Sequence, residues 1–176
     1  MKTSVPAWAP AAIIWLLPQP CAAQDLEINR ATLRSLESLY VAIEKLDPDA
    51  RSQGLDEAQL RAEAEEQLKR AGLALRTKNE FDLSPEKVVL YIRLSTLRRG
   101  SCIAYSVSVA LRQEVVLVRD PGIALVTETW SVGGIGSADP GKLKDVARKA
   151  VKTYLDRFIS ARRSVADYGS ERRILR

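Results

Sequence analysis

The alternation over Cys102 to Val118 constrains this chain more than any other stretch. Ile103, Tyr105, Val107, Val109 and Leu111 fall on one side of an extended strand. Cys102, Ala104, Ser106, Ser108 and Ala110 fall on the other. Side chains of a strand point alternately to its two faces, so this segment belongs in a sheet with one large apolar face and one face of small residues. The apolar face has to be covered, and a one-sided sheet is covered by helices. The small face is either solvated or closely approached by another surface.

The flanking sequence extends that sheet. Val88 to Leu97 reads as a preceding strand, joined by the turn Arg98-Arg99-Gly100-Ser101. Ile123 to Val132 reads as a following strand. Arg119-Asp120-Pro121-Gly122 is the turn before it, with Pro and Gly where a tight turn favours them. Gly133-Gly134-Ile135-Gly136 then reads as a strand end. Upstream, Leu36 to Leu46 alternates through Leu39, Val41 and Ile43, and Asp47-Pro48-Asp49 breaks it. Leu73 to Leu75 is a short strand, and Thr77 to Pro85 a polar loop.

Two helices are expected to cover the apolar face. Asp56 and Gln59 form a capping-box pattern, Leu60, Ala64 and Leu68 make a stripe, and Gly72 ends the helix. Asp139-Pro140 opens the second, whose stripe runs from Leu143 through Val151, Leu155 and Phe158 to Ile159. The expected fold is a two-layer α+β domain over residues 36–166. It has a mixed or antiparallel sheet of four or five strands with both helices on one face. Residues 24–35 read as a polar lead-in and 167–176 as a disordered basic tail.

Residues 1–23 have a different character. Lys2 precedes an apolar run from Trp8 to Leu17, and Pro18-Gln19-Pro20-Cys21-Ala22-Ala23 follows. This is the layout of a secretory signal peptide, with cleavage expected after Ala23. The run is far short of the roughly 20 residues that span a bilayer as a helix. Cys21 raises the alternative of a lipid-modified cysteine, although Pro18, Gln19 and Pro20 depart from the residues such a signal favours. Export places the mature chain in the periplasm or outside the cell. It leaves Cys102 as the one remaining cysteine, which excludes an internal disulfide and reads as a small buried hydrophobe.

Charge is unevenly placed. Residues 24–140 hold 15 basic and 18 acidic residues, a net of −3, whereas residues 141–176 hold 11 and 4, a net of +7. Lys144, Arg148 and Lys152 follow at four-residue intervals and share one side of the last helix. That stripe suits weak contact with an anionic membrane surface, worth on the order of 1 kcal/mol per residue. Export argues against a nucleic-acid partner.

No constellation of catalytic, metal or cofactor residues emerges. The chain has no histidine, which excludes histidine-based triads and histidine metal sites. Gly136 to Lys142 fits the spacing of a phosphate loop. However, Leu143 stands where magnesium binding needs a hydroxyl, Asp139 would repel phosphate, and Pro140 lacks an N–H. Asp47-Pro48-Asp49 fails as a calcium loop, because Ser52 and Ala58 occupy the positions of its glycine and glutamate.

The stretches Leu39-Tyr40-Val41-Ala42-Ile43-Glu44, Gly54-Leu55-Asp56-Glu57-Ala58-Gln59-Leu60, Ala104-Tyr105-Ser106-Val107-Ser108-Val109 and Thr129-Trp130-Ser131-Val132-Gly133 resemble a group of exported bacterial proteins with no assigned activity. The resemblance covers most of residues 36–160 and implies no chemistry. The expected function is that of a non-enzymatic domain, without cofactor or metal, that contacts another protein of the cell envelope. The surface would be a sheet edge or the small-residue face around Ala104, Ser106 and Ser108. A second expectation is a small-ligand or lipid binder with a pocket near Trp130 and Tyr154. A third is membrane attachment through Lys144, Arg148 and Lys152.

Overall fold

The computed structural model describes the backbone of residues 21–174 and the side chains of residues 25–166. The expected signal peptide therefore lies outside the described residues, apart from the backbone of its last three. In chain order the elements are β1 (Cys21–Gln24), α1 (Glu27–Ala31), β2 (Ser38–Ile43), α2 (Pro48–Ser52), α3 (Glu57–Arg70), β3 (Ala74–Leu75), α4 (Lys78–Leu83), β4 (Val89–Arg99), β5 (Cys102–Leu117) and β6 (Asp120–Ala138). A 3-10 turn at Pro140–Lys142 leads into α5 (Leu143–Ile174).

The strands lie in the order β1-β6-β5-β4-β2-β3. β4, β5 and β6 form the expected antiparallel meander. β2 joins β4 in parallel, with Val41 beside Leu90 and Ile43 beside Ile92, so the sheet is mixed. The body is the four longer strands, with the short β1 and β3 at its margins. The fold is α+β, as the alternation and the two helical stripes require.

The core lies between the sheet and helices α3 and α5. Leu39 and Val41 of β2, Leu90, Ile92 and Leu94 of β4, Ile103, Val107, Val109 and Leu111 of β5, and Trp130 and Val132 of β6 are buried on one face. Leu60, Ala64 and Leu68 of α3 and Ala147, Val151, Leu155 and Phe158 of α5 close over them. Asp56 caps α3 by accepting from the Gln59 N–H at 2.8 Å. Glu57 accepts from the Leu46 N–H at 3.0 Å, which ties the end of the β2 segment to the helix start. That bond is the main reason the Glu57 carboxyl titrates below its ordinary range.

Five local expectations are corrected. The stretch expected as a loop at Thr77 to Pro85 contains α4, held by a full capping box between Thr77 and Glu80. The β5–β6 turn sits at Val118-Arg119, with Leu117 paired to Asp120. Pro121 and Gly122 occupy a bulge in β6, where a residue without an N–H leaves no ladder bond unmade. The glycine-rich stretch is strand interior, because β6 runs on to Ala138. A Cβ at Gly136 would lie 2.6 Å from the Tyr105 ring, and one at Gly134 would strike the Tyr154 hydroxyl. The lead-in is packed: Leu33 is buried, and Asn29 of α1 donates to the Thr129 carbonyl at 2.9 Å. Finally, α5 continues to Ile174, so the described part of the expected tail is helical.

Candidate functional site

The sheet face opposite α3 and α5 is the candidate site. Strand pairing sets Ser95 beside Ser106, Arg93 beside Ser108 and Tyr91 beside Ala110. On the other side it sets Ser106 beside Ile135, Ser108 beside Gly133 and Ala110 beside Ser131. These registers bring Ala104, Ser106 and Ser108 together in a row at the middle of the sheet, as the alternation predicts. All three are half-buried. The row is flanked by longer side chains: Leu97 is 58% exposed on β4 and Ile135 is 82% exposed on β6. The result is a shallow, small-residue floor with an aliphatic residue on either side.

One end of this face is charged. Arg93 pairs with Glu44, and the Arg112 guanidinium lies 4.0 Å from the centre of the Tyr91 ring. A cation over an aromatic face at that distance is favourable. Glu44, and more weakly Glu128, push the Arg93 guanidinium further into its charged form. Ala110 and Ser131 are buried at this end. Cys102, at the other end, is half-buried rather than enclosed.

Trp130 does not join the site. It is fully buried on the helix side, with its ring 5.3 Å from Phe158. Its indole N–H donates to Asp25 Oδ1 at 2.8 Å. The same carboxylate accepts from Arg30 at 2.7 and 2.8 Å. Arg30 first, then the indole, hold the Asp25 carboxyl below its ordinary range against the opposing effect of burial. The space between sheet and helix near Trp130 and Tyr154 is filled by Phe158 and by Tyr154 itself, which seats on Gly134.

The basic stripe lies apart from the sheet face, along the seam between α3 and α5. Arg148 donates to both carboxylate oxygens of Glu63, and its guanidinium is held in the charged form by that partner. Gln67 donates to the Lys152 carbonyl at 3.1 Å and to Asp156 at 2.7 Å. The Lys144 stem would meet a Cβ at Gly54 at 3.7 Å. The seam encloses an open groove of about 370 Å³ bordered by Leu60, Glu63, Gln67, Arg148, Val151 and Lys152. Of the stripe, Arg148 is the residue whose charge is paired, with Glu63.

Sequence reasoning missed Tyr91, Leu97 and Ile135 as members of the open face. The signal was available, because Ile135 is the one large residue among the glycines of β6 and falls opposite Ser106.

No family model matches the chain, and no curated protein matches it. Among solved structures, a PelC dodecamer from Paraburkholderia phytofirmans shares 16% identity over 68% of this chain and 84% of that one, with a TM-score of 0.37. A minor lipoprotein from Acinetobacter baumannii shares 11% identity over 71% of this chain and 91% of that one, with a TM-score of 0.34. Likeness of this degree carries no inference about partner or chemistry. Among the described residues, no helix is long and apolar enough to cross a membrane.

Proposed function

We propose that this is a non-enzymatic domain of the cell envelope that works by holding another protein against the open face of its sheet. The observation that supports this reading is the small-residue floor of Ala104, Ser106 and Ser108, flanked by exposed Leu97 and Ile135. Small side chains let a partner's backbone or side chains approach the sheet closely. The two aliphatic flanks supply apolar contact, and Arg93, Glu44 and Arg112 form a charged rim. This is the anatomy of a modest protein interface, with an apolar centre and a polar edge.

The test is co-purification from envelope extract with tagged mature protein, alongside Ile135→Asp and Ser106→Trp variants. Both changes lie on an exposed or half-exposed surface and leave the core untouched. A specific partner that is recovered with the native chain and lost with both variants supports the reading. Recovery of no partner at low salt after cross-linking, or a partner indifferent to both changes, would contradict it.

A further inference from the structure

The expected cleavage point lies inside an element of the fold. β1 runs from Cys21 to Gln24, and the bond between Ala23 and Gln24 is its last peptide link. The strand pairs antiparallel with β6, with Cys21 beside Gly133 and Gln24 beside Ser131. The backbone is therefore held against the sheet on both sides of Ala22 and Ala23.

The chain just past the cut is anchored by side chains as well. Asp25 accepts from the buried Trp130 indole at 2.8 Å and from Arg30 at 2.7 and 2.8 Å. Asn29 donates to the Thr129 carbonyl at 2.9 Å. Both anchors grip β6 just before the residues that pair with β1. Gln113 of β5 donates to the Thr32 carbonyl at 3.3 Å, and Leu33 is buried in the core. No loose linker separates the cut from the packed domain.

A protease that cuts a chain must take residues on both sides of the bond into its own cleft. Backbone already paired in a sheet is open to it only when the segment lifts away. If opening and closing are fast, the cutting rate follows the small population of the open form. The first residues of a domain are the usual place for nicking because they are poorly ordered unless tied down. Here they are tied down by a strand pairing before the cut and a carboxylate clamp after it.

We propose that the folded chain masks its own processing site, so that cleavage after Ala23 has to precede the docking of residues 21–25 on β6. A chain that folds first keeps its N-terminal segment. A chain that is cut first loses Cys21 to Ala23 from the β6 edge, and Asp25 anchors the new terminus. The proposal rests on the export reading and is independent of the open face.

The test is digestion by purified signal peptidase of the folded full-length chain and of a peptide of residues 1–30, in the same detergent buffer. The peptide lacks β6 and has nothing to pair with. It should be cut after Ala23, and the folded chain at least about 100-fold more slowly. Asn29→Ala and Trp130→Phe each remove one anchor without altering the residues beside the cut. With circular dichroism showing an unchanged fold, each should speed cutting of the folded chain about threefold to tenfold. Equal rates for the peptide and the folded chain would overturn the proposal, as would protection that neither variant weakens. A peptide that is not cut after Ala23 would overturn the export reading, and the proposal with it. Ile135→Asp, on the open face, should leave the protection unchanged.

Discussion

Asp25 is the residue whose removal should most clearly show that the N-terminal segment belongs to the domain. In Asp25→Ala the Trp130 N–H loses its acceptor in a fully buried position. Leaving a buried donor unsatisfied costs about 1–3 kcal/mol. The change also removes the Arg30 pair, whose arginine is 41% exposed, worth about 0–1 kcal/mol. The combined loss centres on about 2–3 kcal/mol within a range of about 1–4 kcal/mol. For a chain of this size that lowers Tm by roughly 5–10 °C.

Asp25→Asn keeps an acceptor for the indole and should lose only about 1 kcal/mol. The pH dependence has a fixed sign. The folded-state pKa of Asp25 lies below its ordinary value of 3.8, so the stabilisation is full above that value and is lost as pH falls through the lower, folded one. Urea unfolding followed by circular dichroism should show the gap between native and Asp25→Asn chains at pH 7 closing below about pH 4. An Asp25→Ala chain within 0.5 kcal/mol of native at pH 7, or a gap that does not change in acid, would refute the reasoning.

Other outcomes follow from the same packing. Leu68→Ala, at a fully buried site on α3, should lose about 2–5 kcal/mol by urea unfolding. Gly134→Ala should lose about 1–2 kcal/mol through its clash with the Tyr154 hydroxyl, and adding Tyr154→Phe should restore most of it. Arg148→Ala should change stability by no more than about 1 kcal/mol, because its pair with Glu63 is part-exposed. The same variant should leave flotation with anionic vesicles unchanged.

The elements that were legible in the sequence are those whose signal is local. The α3 helix shows its cap, its stripe and its terminal glycine within 17 residues, and β5 shows its two faces by alternation alone. α4 is not legible although Thr77 and Glu80 stand at capping-box spacing, because no apolar stripe follows so short a helix. The local pattern of β6 ends at its glycines, short of the strand's end at Ala138. Their role depends on Tyr105 and Tyr154, which lie about 30 residues before the cluster and about 20 after it, and no local pattern reveals such neighbours. The lead-in reads as polar because its anchoring depends on one carboxylate meeting a tryptophan 105 positions away.

The candidate site was half legible. The small residues of β5 declared a face, but its flanks come from β4 and β6 and appear only once the register is known. The basic stripe of α5 was correctly spaced, yet its partner Glu63 lies on another helix.

The measurement that bears most directly on the open-face account is site-specific photo-crosslinking in intact cells. A crosslinker replacing Ser106, at the centre of the small-residue floor, is compared with one replacing Ser160, on the exposed side of α5. The account predicts a discrete crosslinked species from position 106 that disappears with Ile135→Asp and is absent from position 160. Equal yields from the two positions, or no adduct from position 106, would contradict it.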